Sequence, residues 1–75
     1  MPAQELDITK ETCPMTFVRT RLALDRMQSG DMLEVRLLGE EPWRNVVLNA
    51  RSLGHAVLAD EALADGIRLV TIRKR

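Results

Sequence analysis

The spacing of apolar residues changes abruptly in the middle of the chain, from every second residue to every third or fourth. Leu33, Val35 and Leu37 share one face of the segment from Met32 to Leu38, which predicts a strand. A helix is predicted next, from about Pro42 to Leu53, by a stripe that consists of Trp43, Val46, Val47, Ala50 and Leu53. A strand followed so closely by an amphipathic helix favours a layered fold in which each buries its apolar face.

The same two periodicities predict the remaining elements. They are a strand from Leu6 to Thr9, a helix from Pro14 to about Gln28, a strand from His55 to Ala59 and a strand from Ile67 to Lys74. The Asp65-Gly66 pair favours a hairpin turn between the last two strands. The order β-α-β-α-β-β predicts an α+β fold, a two-layer sandwich whose two helices cover one face of a mixed four-stranded sheet.

Size and charge restrict the classes of function. With 75 residues, the chain is expected to form a single domain over 1–75, with its core from about 5 to 74. Eleven basic and eleven acidic residues cancel, so no overall field favours nucleic acid or a membrane surface. The chain has one cysteine and one histidine, too few for a metal site or an internal disulfide. We expect a cytoplasmic protein without a metal or cofactor, since no leader or membrane-spanning run occurs.

The cysteine, Cys13, directly precedes Pro14 at the predicted start of the first helix. Proline suits the first helical position, and the positive end of a helix favours the reactive thiolate. Cys13 is therefore either an exposed nucleophile or a small buried apolar residue. Residues 10–12 before it are polar, which favours exposure, and Arg19 and Arg21 follow closely enough to add positive potential. His55 is expected to be structural, so a thiol without its own base would depend on partner proteins and suits the carriage of sulfur as a persulfide.

The first helix carries two apolar stripes. One is predicted to pack on the sheet and consists of Phe17, Thr20, Leu24 and Met27. The other lies roughly opposite and consists of Met15, Val18 and Leu22. This second stripe either contacts the second helix or forms an exposed patch that docks a partner beside the thiol. In both cases Arg19 and Arg26 face solvent.

These features together resemble the TusA/SirA family of sulfur carriers. The resemblance rests on Leu6-Asp7, on Cys13-Pro14 followed by a helix, and on the order of elements, and it covers about residues 5–74. The family carries a Cys-Pro-x-Pro motif, and its basic position eight residues after the cysteine corresponds to Arg21. Met27 to Asp31 resembles its helix-ending turn. Thr16 replaces the second motif proline, and Lys10 replaces a glycine of the preceding loop.

The resemblance implies a sulfurtransferase-type carrier. Cys13 would take persulfide sulfur from a cysteine desulfurase or rhodanese-like donor protein and pass it to an acceptor, and Pro14 would shape the helix start. Arg21 would stabilise the anionic persulfide, pair with an acidic partner, or remain a solvated helix residue.

The alternative is a non-catalytic interaction module on the same fold, which would use Met15, Val18 and Leu22. Neither a membrane nor nucleic acid is expected as a partner, because the charges balance and only two aromatic residues are present. The basic tail Arg73-Lys74-Arg75 is expected to be a frayed, solvated end.

Overall fold

A computed structural model describes residues 4–12 and 15–75 and contains two helices and four strands. The elements are β1 (Gln4–Asp7), α1 (Met15–Asp25), β2 (Met32–Leu38), α2 (Glu40–Ser52), β3 (Ala56–Ala62), a 3₁₀ turn (Ala64–Gly66) and β4 (Ile67–Arg73). Their order confirms the predicted β-α-β-α-β-β arrangement and the α+β class.

The sheet is mixed, with the strand order β1-β2-β4-β3. β1 pairs with β2 in parallel, whereas β4 is antiparallel to both β2 and β3. The last strand therefore lies inside the sheet, and β1 and β3 form its two edges. Asp7 pairs with Arg36 near one end, and Met32, Arg73 and Ala56 form a row at the other.

The core lies between the helices and one face of the sheet. The sheet contributes the predicted alternating face of β2, namely Leu33, Val35 and Leu37, together with Val70 and Ile72 of β4. α2 contributes Val46, Val47 and Ala50, and α1 contributes Leu24 together with the buried threonines Thr16 and Thr20. Both helices thus cover the same face, as predicted.

Some element boundaries differ from the prediction for local reasons. β1 ends at Asp7 rather than Thr9, because the Asp7 carboxylate accepts hydrogen bonds from Thr9 and turns the chain. α1 ends at Asp25 rather than near Gln28, since the amides of Arg26 and Met27 bond three residues back in a tighter turn. α2 begins at Glu40 rather than Pro42, which places Pro42 in the first turn, where no amide proton is required.

The hairpin between β3 and β4 confirms the turn predicted from Asp65-Gly66. Asp65 has φ 60° and Gly66 has φ 77°, both in the left-handed region that such a turn requires. The amide of Leu63 donates to the carbonyl of Ile67 at 2.7 Å and closes the turn. β3 runs to Ala62, beyond the predicted Ala59, because its pairing with β4 orders residues that carry no alternating apolar pattern.

The prediction that the basic tail is frayed is wrong. The Lys74 amide donates to the Asp31 carbonyl at 2.7 Å, and the Gly30 amide donates to the Lys74 carbonyl at 2.9 Å. The Arg75 amide donates to Nδ1 of His55 at 3.1 Å. These bonds continue the end of β4 into the loop that follows α1 and hold the tail in place.

Candidate functional site

The candidate site is the connection from β1 to α1, which contains Cys13. Cys13 and Pro14 lie outside the described residues, so their predicted roles are assessed from the flanking chain. Ile8 opens the connection, is 1% exposed, and donates its amide to the carbonyl of Arg36 at 3.0 Å. The Glu11 amide then donates to the Ile8 carbonyl at 3.1 Å. The chain before Cys13 is therefore anchored to the core at Ile8 and turns at Glu11.

Asp7 and Thr9 form a second anchor at the start of this connection. Oδ1 of Asp7 accepts the Thr9 amide at 3.0 Å and the Thr9 hydroxyl at 2.7 Å. These two hydrogen bonds stabilise the carboxylate and lower the pKa of Asp7 below its ordinary value. The turn redirects the chain away from the sheet edge toward α1.

An ion pair joins the connection to α1. Nη1 of Arg19 lies 2.9 Å from Oε1 of Glu11, and both side chains are partly exposed. Arg19 faces solvent, as predicted, but the adjacent carboxylate offsets much of its charge. The positive potential that the sequence assigns to Arg19 is therefore reduced, and the pair instead holds residues 11 and 19 together.

The start of α1 keeps backbone donors that no residue of the helix can satisfy. The Met15 amide donates to the Thr12 carbonyl at 2.7 Å, which closes a turn, and the amides of the first helical turn have no acceptor within the helix. No acidic residue lies in this turn. Thr16, which stands where the family motif has proline, retains an amide proton that proline lacks. The N-terminus of α1 is therefore suited to an anionic group.

Thr16 also carries a buried polar group. The residue is 1% exposed, and its hydroxyl oxygen has no hydrogen-bond partner within residues 4–12 and 15–75. Its carbonyl accepts the hydroxyl of Thr20 at 2.8 Å. The two threonines thus line the inner side of α1 close to its start, where the sequence pattern assigns only Thr20 to the buried stripe.

Arg21 is exposed on α1, and its Nε lies 3.9 Å from Oδ2 of Asp25. Such an exposed pair contributes little free energy, so the guanidinium can exchange partners. Arg21 lies six residues after Met15, about 9 Å along the helix axis. In the arrangement described, its side chain is paired toward the C-terminal end of the helix.

The second apolar stripe of α1 lies on the side of the helix away from the groove that faces α2. Met15 is 44% exposed and Leu22 is 52% exposed, and Val18 between them is partly exposed. The groove between the helices is lined instead by Phe17, Thr20, Arg21 and Leu24 from α1 and by Val46, Asn49, Ala50 and Leu53 from α2. This arrangement favours the exposed patch over contact of the stripe with the second helix. Met15, Val18 and Leu22 form an outer apolar surface on the helix that follows Cys13.

His55 lies at the other end of the sheet. His55 directly precedes Ala56, which lies in the same row of the sheet as Met32. Ile8 follows Asp7 and is level with Leu37. The rows of Met32 and Leu37 lie about 16 Å apart along the strands. The ring of His55 is buried and accepts the Arg75 amide. Burial, and then the positive charge of Lys74, lower the pKa of His55. This placement agrees with a structural histidine and separates it from the segment that precedes Cys13.

The described part of the chain contains neither a cluster of metal ligands nor a membrane-spanning helix. Residues 4–12 and 15–75 contain no group of three histidine, cysteine or acidic side chains arranged to hold a metal ion. No helix in the same residues has the length and apolar character needed to cross a membrane.

Comparison with known proteins gives a consistent result. The profile of the family described as "Sulfurtransferase TusA" matches residues 4–74. A candidate sulfur carrier protein of Archaeoglobus fulgidus is 37% identical over 70 residues, which cover 93% of this chain and 80% of the relative. The candidate sulfur carrier YedF of Escherichia coli K12 is 34% identical over 58 residues, which cover 77% of this chain and 75% of that protein.

A solved structure supports the fold. The crystal structure of a SirA-like protein from Desulfitobacterium hafniense superposes with a TM-score of 0.81 at 21% identity, covering 92% of this chain and 93% of the other. The similarity extends to the whole two-layer arrangement, including both helices and the mixed sheet.

Proposed function

Because this chain belongs to the TusA family of sulfurtransferases and carries sulfur in a relay between proteins, we propose that Cys13 is the residue that holds the sulfur, as a persulfide. The observation that carries the proposal is the position of the lone cysteine of the chain, two residues before α1 begins at Met15. The setting is the cytoplasm, where the thiol stays reduced between transfers.

The proposed reaction is a thiol exchange in two steps. The Cys13 thiolate attacks the outer sulfur of a donor persulfide, the sulfur–sulfur bond of the donor breaks, and the donor leaves as a thiolate. The outer sulfur and its proton are then carried on Cys13. An acceptor nucleophile next attacks this sulfur, and Cys13 leaves as a thiolate, so that no external oxidant or reductant is consumed.

Three features around Cys13 support this role. The first-turn amides of α1, including that of Thr16, favour a thiolate or a persulfide anion over the neutral form. The connection before Cys13 is anchored by Ile8 and by the pair of Glu11 with Arg19, so its ends are fixed. Arg21 is an exposed cation whose weak ion pair with Asp25 can be replaced by a pair with a partner's carboxylate.

The persulfide is tested by measuring the intact mass after incubation with a cysteine desulfurase and cysteine. We expect the wild-type chain to gain one sulfur atom and Cys13→Ser to gain none, with circular dichroism showing that both are folded. Reducing agent should reverse the gain, because persulfides are reducible. An unmodified wild-type chain whose cysteine also resists alkylation under native conditions would exclude the proposal.

The donor and acceptor proteins are proposed to dock on the outer apolar surface of α1, formed by Met15, Val18 and Leu22. This surface lies on the helix that begins two residues after Cys13, and a contiguous patch of exposed apolar side chains is typical of protein contacts. Leu22→Glu should reduce the rate of sulfur loading at least about tenfold, because a buried interfacial charge is costly.

The matched control is Leu48→Glu on α2, since Leu48 is 56% exposed and Leu22 is 52% exposed. Equal loss of loading in both variants would argue against a local docking surface.

The second candidate function, a non-catalytic interaction module, rests on the same exposed surface. It predicts that Cys13→Ser retains the cellular phenotype of the wild type while Leu22→Glu loses it.

A further inference from the structure

We propose that the cleft between the end of β4 and the loops after α1 and α2 binds a dianionic phosphate group, either as inorganic phosphate or as a small phosphate monoester. The cleft measures about 430 Å³ and is lined by Ser29, Gly30, Gly54, Ala56, Arg73, Lys74 and Arg75. It lies in the row of Met32 and Ala56, at the opposite end of the sheet from the segment that precedes Cys13. The proposal is independent of sulfur carriage.

The ionisable side chains of the lining are all cationic. Three of its seven residues are cationic, and none is acidic. In the described ranges, Arg73, Lys74 and Arg75 form no ion pair with a carboxylate. The neighbouring Asp31 does not line the cleft, and its carboxylate accepts the Gln28 amide at 3.0 Å. Three cations without acidic partners line one cleft in a chain whose overall charge is zero.

The walls of the cleft are held by hydrogen bonds and close packing. The backbone of Lys74 forms hydrogen bonds with the backbones of Gly30 and Asp31, which hold the loop after α1 against the end of β4. Nη1 of Arg75 donates to the Leu53 carbonyl at 3.4 Å. Gly54 has φ 89°, and a Cβ placed there would lie 2.8 Å from Cδ of Arg75. A side chain at position 54 would therefore displace the arginine, so glycine allows the cation to lie against the backbone.

A phosphate group fits this lining better than a carboxylate does. The lining residues with side-chain donors are Arg73, Lys74, Arg75 and Ser29. Together they offer more hydrogen-bond donors than the two oxygens of a carboxylate can accept. The three or four oxygens of a phosphate can accept bonds from all of them. RNA is disfavoured because the two aromatic residues, Phe17 and Trp43, do not line the cleft, so bases have no stacking surface there.

His55 provides a reporter next to the cleft. Its pKa is lowered by burial and by the charges of Lys74 and Arg75, while Asp25 acts in the opposite direction. An anion held by these cations offsets their charge and favours the protonated ring, so occupancy should raise the pKa of His55. Because the chain has a single histidine, its ring resonances in an NMR titration are unambiguous.

The experiment titrates the full chain with inorganic phosphate and separately with ribose 5-phosphate, against sodium chloride of equal ionic strength. We expect a saturable rise in the pKa of His55 with the phosphate ligands and none with chloride. Tighter binding of ribose 5-phosphate than of inorganic phosphate would indicate that the ligand of the cleft is a phosphate monoester. Equal binding would indicate that the cleft recognises only the phosphate group. Both outcomes support the site.

Variants locate the binding. Replacing Arg73 and Arg75 by glutamine should weaken phosphate binding at least about tenfold, the loss expected for two charged hydrogen bonds. If the double variant is less stable than the wild type, the single variant Arg73→Gln, which changes an exposed side chain, is used in its place. The matched control is Arg44→Gln, an exposed arginine of α2 near the opposite end of the sheet, which should bind like the wild type. Absence of a saturable effect, equal loss in the control, or tighter binding of oligoglutamate or oligouridylate than of phosphate would overturn the proposal.

Discussion

At the scale of single residues, His55 shows how the fold fixes a protonation state. Nδ1 accepts a hydrogen bond from the Arg75 amide, so the neutral ring carries its proton on Nε2. Protonating Nδ1 would break this bond and place a positive charge in a buried position beside Lys74 and Arg75. The neutral histidine therefore belongs to the native state.

The stability of the protein should consequently depend on pH in a predictable direction. The folded-state pKa of His55 lies below its ordinary value of 6.5, so the unfolded chain binds the proton more readily. We expect the free energy of unfolding to fall as pH drops from 6.5 to the folded pKa, and to be independent of this group above 6.5. Urea denaturation in phosphate-free buffers at a series of pH values measures the effect.

His55→Asn is the control for this pH dependence. Its amide oxygen can accept a hydrogen bond near the position of Nδ1, but the side chain does not titrate. The slope of stability against pH between 6.5 and the folded pKa should therefore flatten in the variant. An unchanged slope would assign the pH dependence to other groups.

The contacts of individual residues near Cys13 could not all be predicted from the sequence. The pair of Glu11 with Arg19 joins a loop to a helix across eight residues, and no periodicity relates such positions. The turn at Asp7 and Thr9 has a local signal, because aspartate often bonds the amide two residues later. Because Leu6 and Ile8 alternate with polar residues, the pattern predicted a strand that continues to Thr9, whereas β1 ends at Asp7.

At the scale of elements, α2 is tied to the β3–β4 hairpin by a polar cluster around its tryptophan. Nε1 of Trp43 donates to Oδ2 of Asp60 at 2.8 Å, and the guanidinium of Arg68 lies 3.1 Å from Oδ1 of the same carboxylate. The guanidinium carbon of Arg68 also lies 4.0 Å from the centre of the Trp43 ring. One carboxylate therefore connects a helix with two strands.

Removing this carboxylate should loosen the junction. Asp60→Ala leaves the Trp43 N–H and the Arg68 guanidinium without their acceptor, and we expect the free energy of unfolding to fall by about 1–2 kcal/mol. The measurement is urea denaturation followed by the fluorescence of Trp43, the single tryptophan of the chain. Glu61→Ala, an exposed neighbour on the same strand, should remain within about 0.5 kcal/mol of the wild type. Equal effects would contradict the assignment to Asp60.

The elements themselves were predictable to different degrees, for a physical reason. α2 and β2 bury one regular face each, so apolar spacing predicts both, and three members of the predicted α2 stripe are buried. β3 is an edge strand whose residues from Leu58 to Ala62 are exposed. The extent of β3 is set by its backbone hydrogen bonds to β4, and these bonds do not depend on the spacing of apolar residues.

At the scale of the whole molecule, the two ends of the sheet have different chemistry. The end at which β1 and β2 finish carries the acidic first turn of α2, with Glu40 and Glu41, and the opposite end carries Arg73, Lys74 and Arg75. The overall charge balances, so the sequence showed the basic tail but not the separation of charge between the two ends of the sheet. The three cations are consecutive in the sequence, but only the topology, which brings the loops after α1 and α2 beside the end of β4, places them in a cleft.

The position of β4 inside the sheet also determines when the molecule can acquire its structure. β1 and β2 form one pair, β3 is the far edge, and only residues 67–73 connect them. During synthesis, the sheet therefore stays incomplete until residues 67–73 leave the ribosome. Ile8, which anchors the connection that leads to Cys13, is held by the same sheet, so a partly synthesised chain should not yet have this connection in its native arrangement.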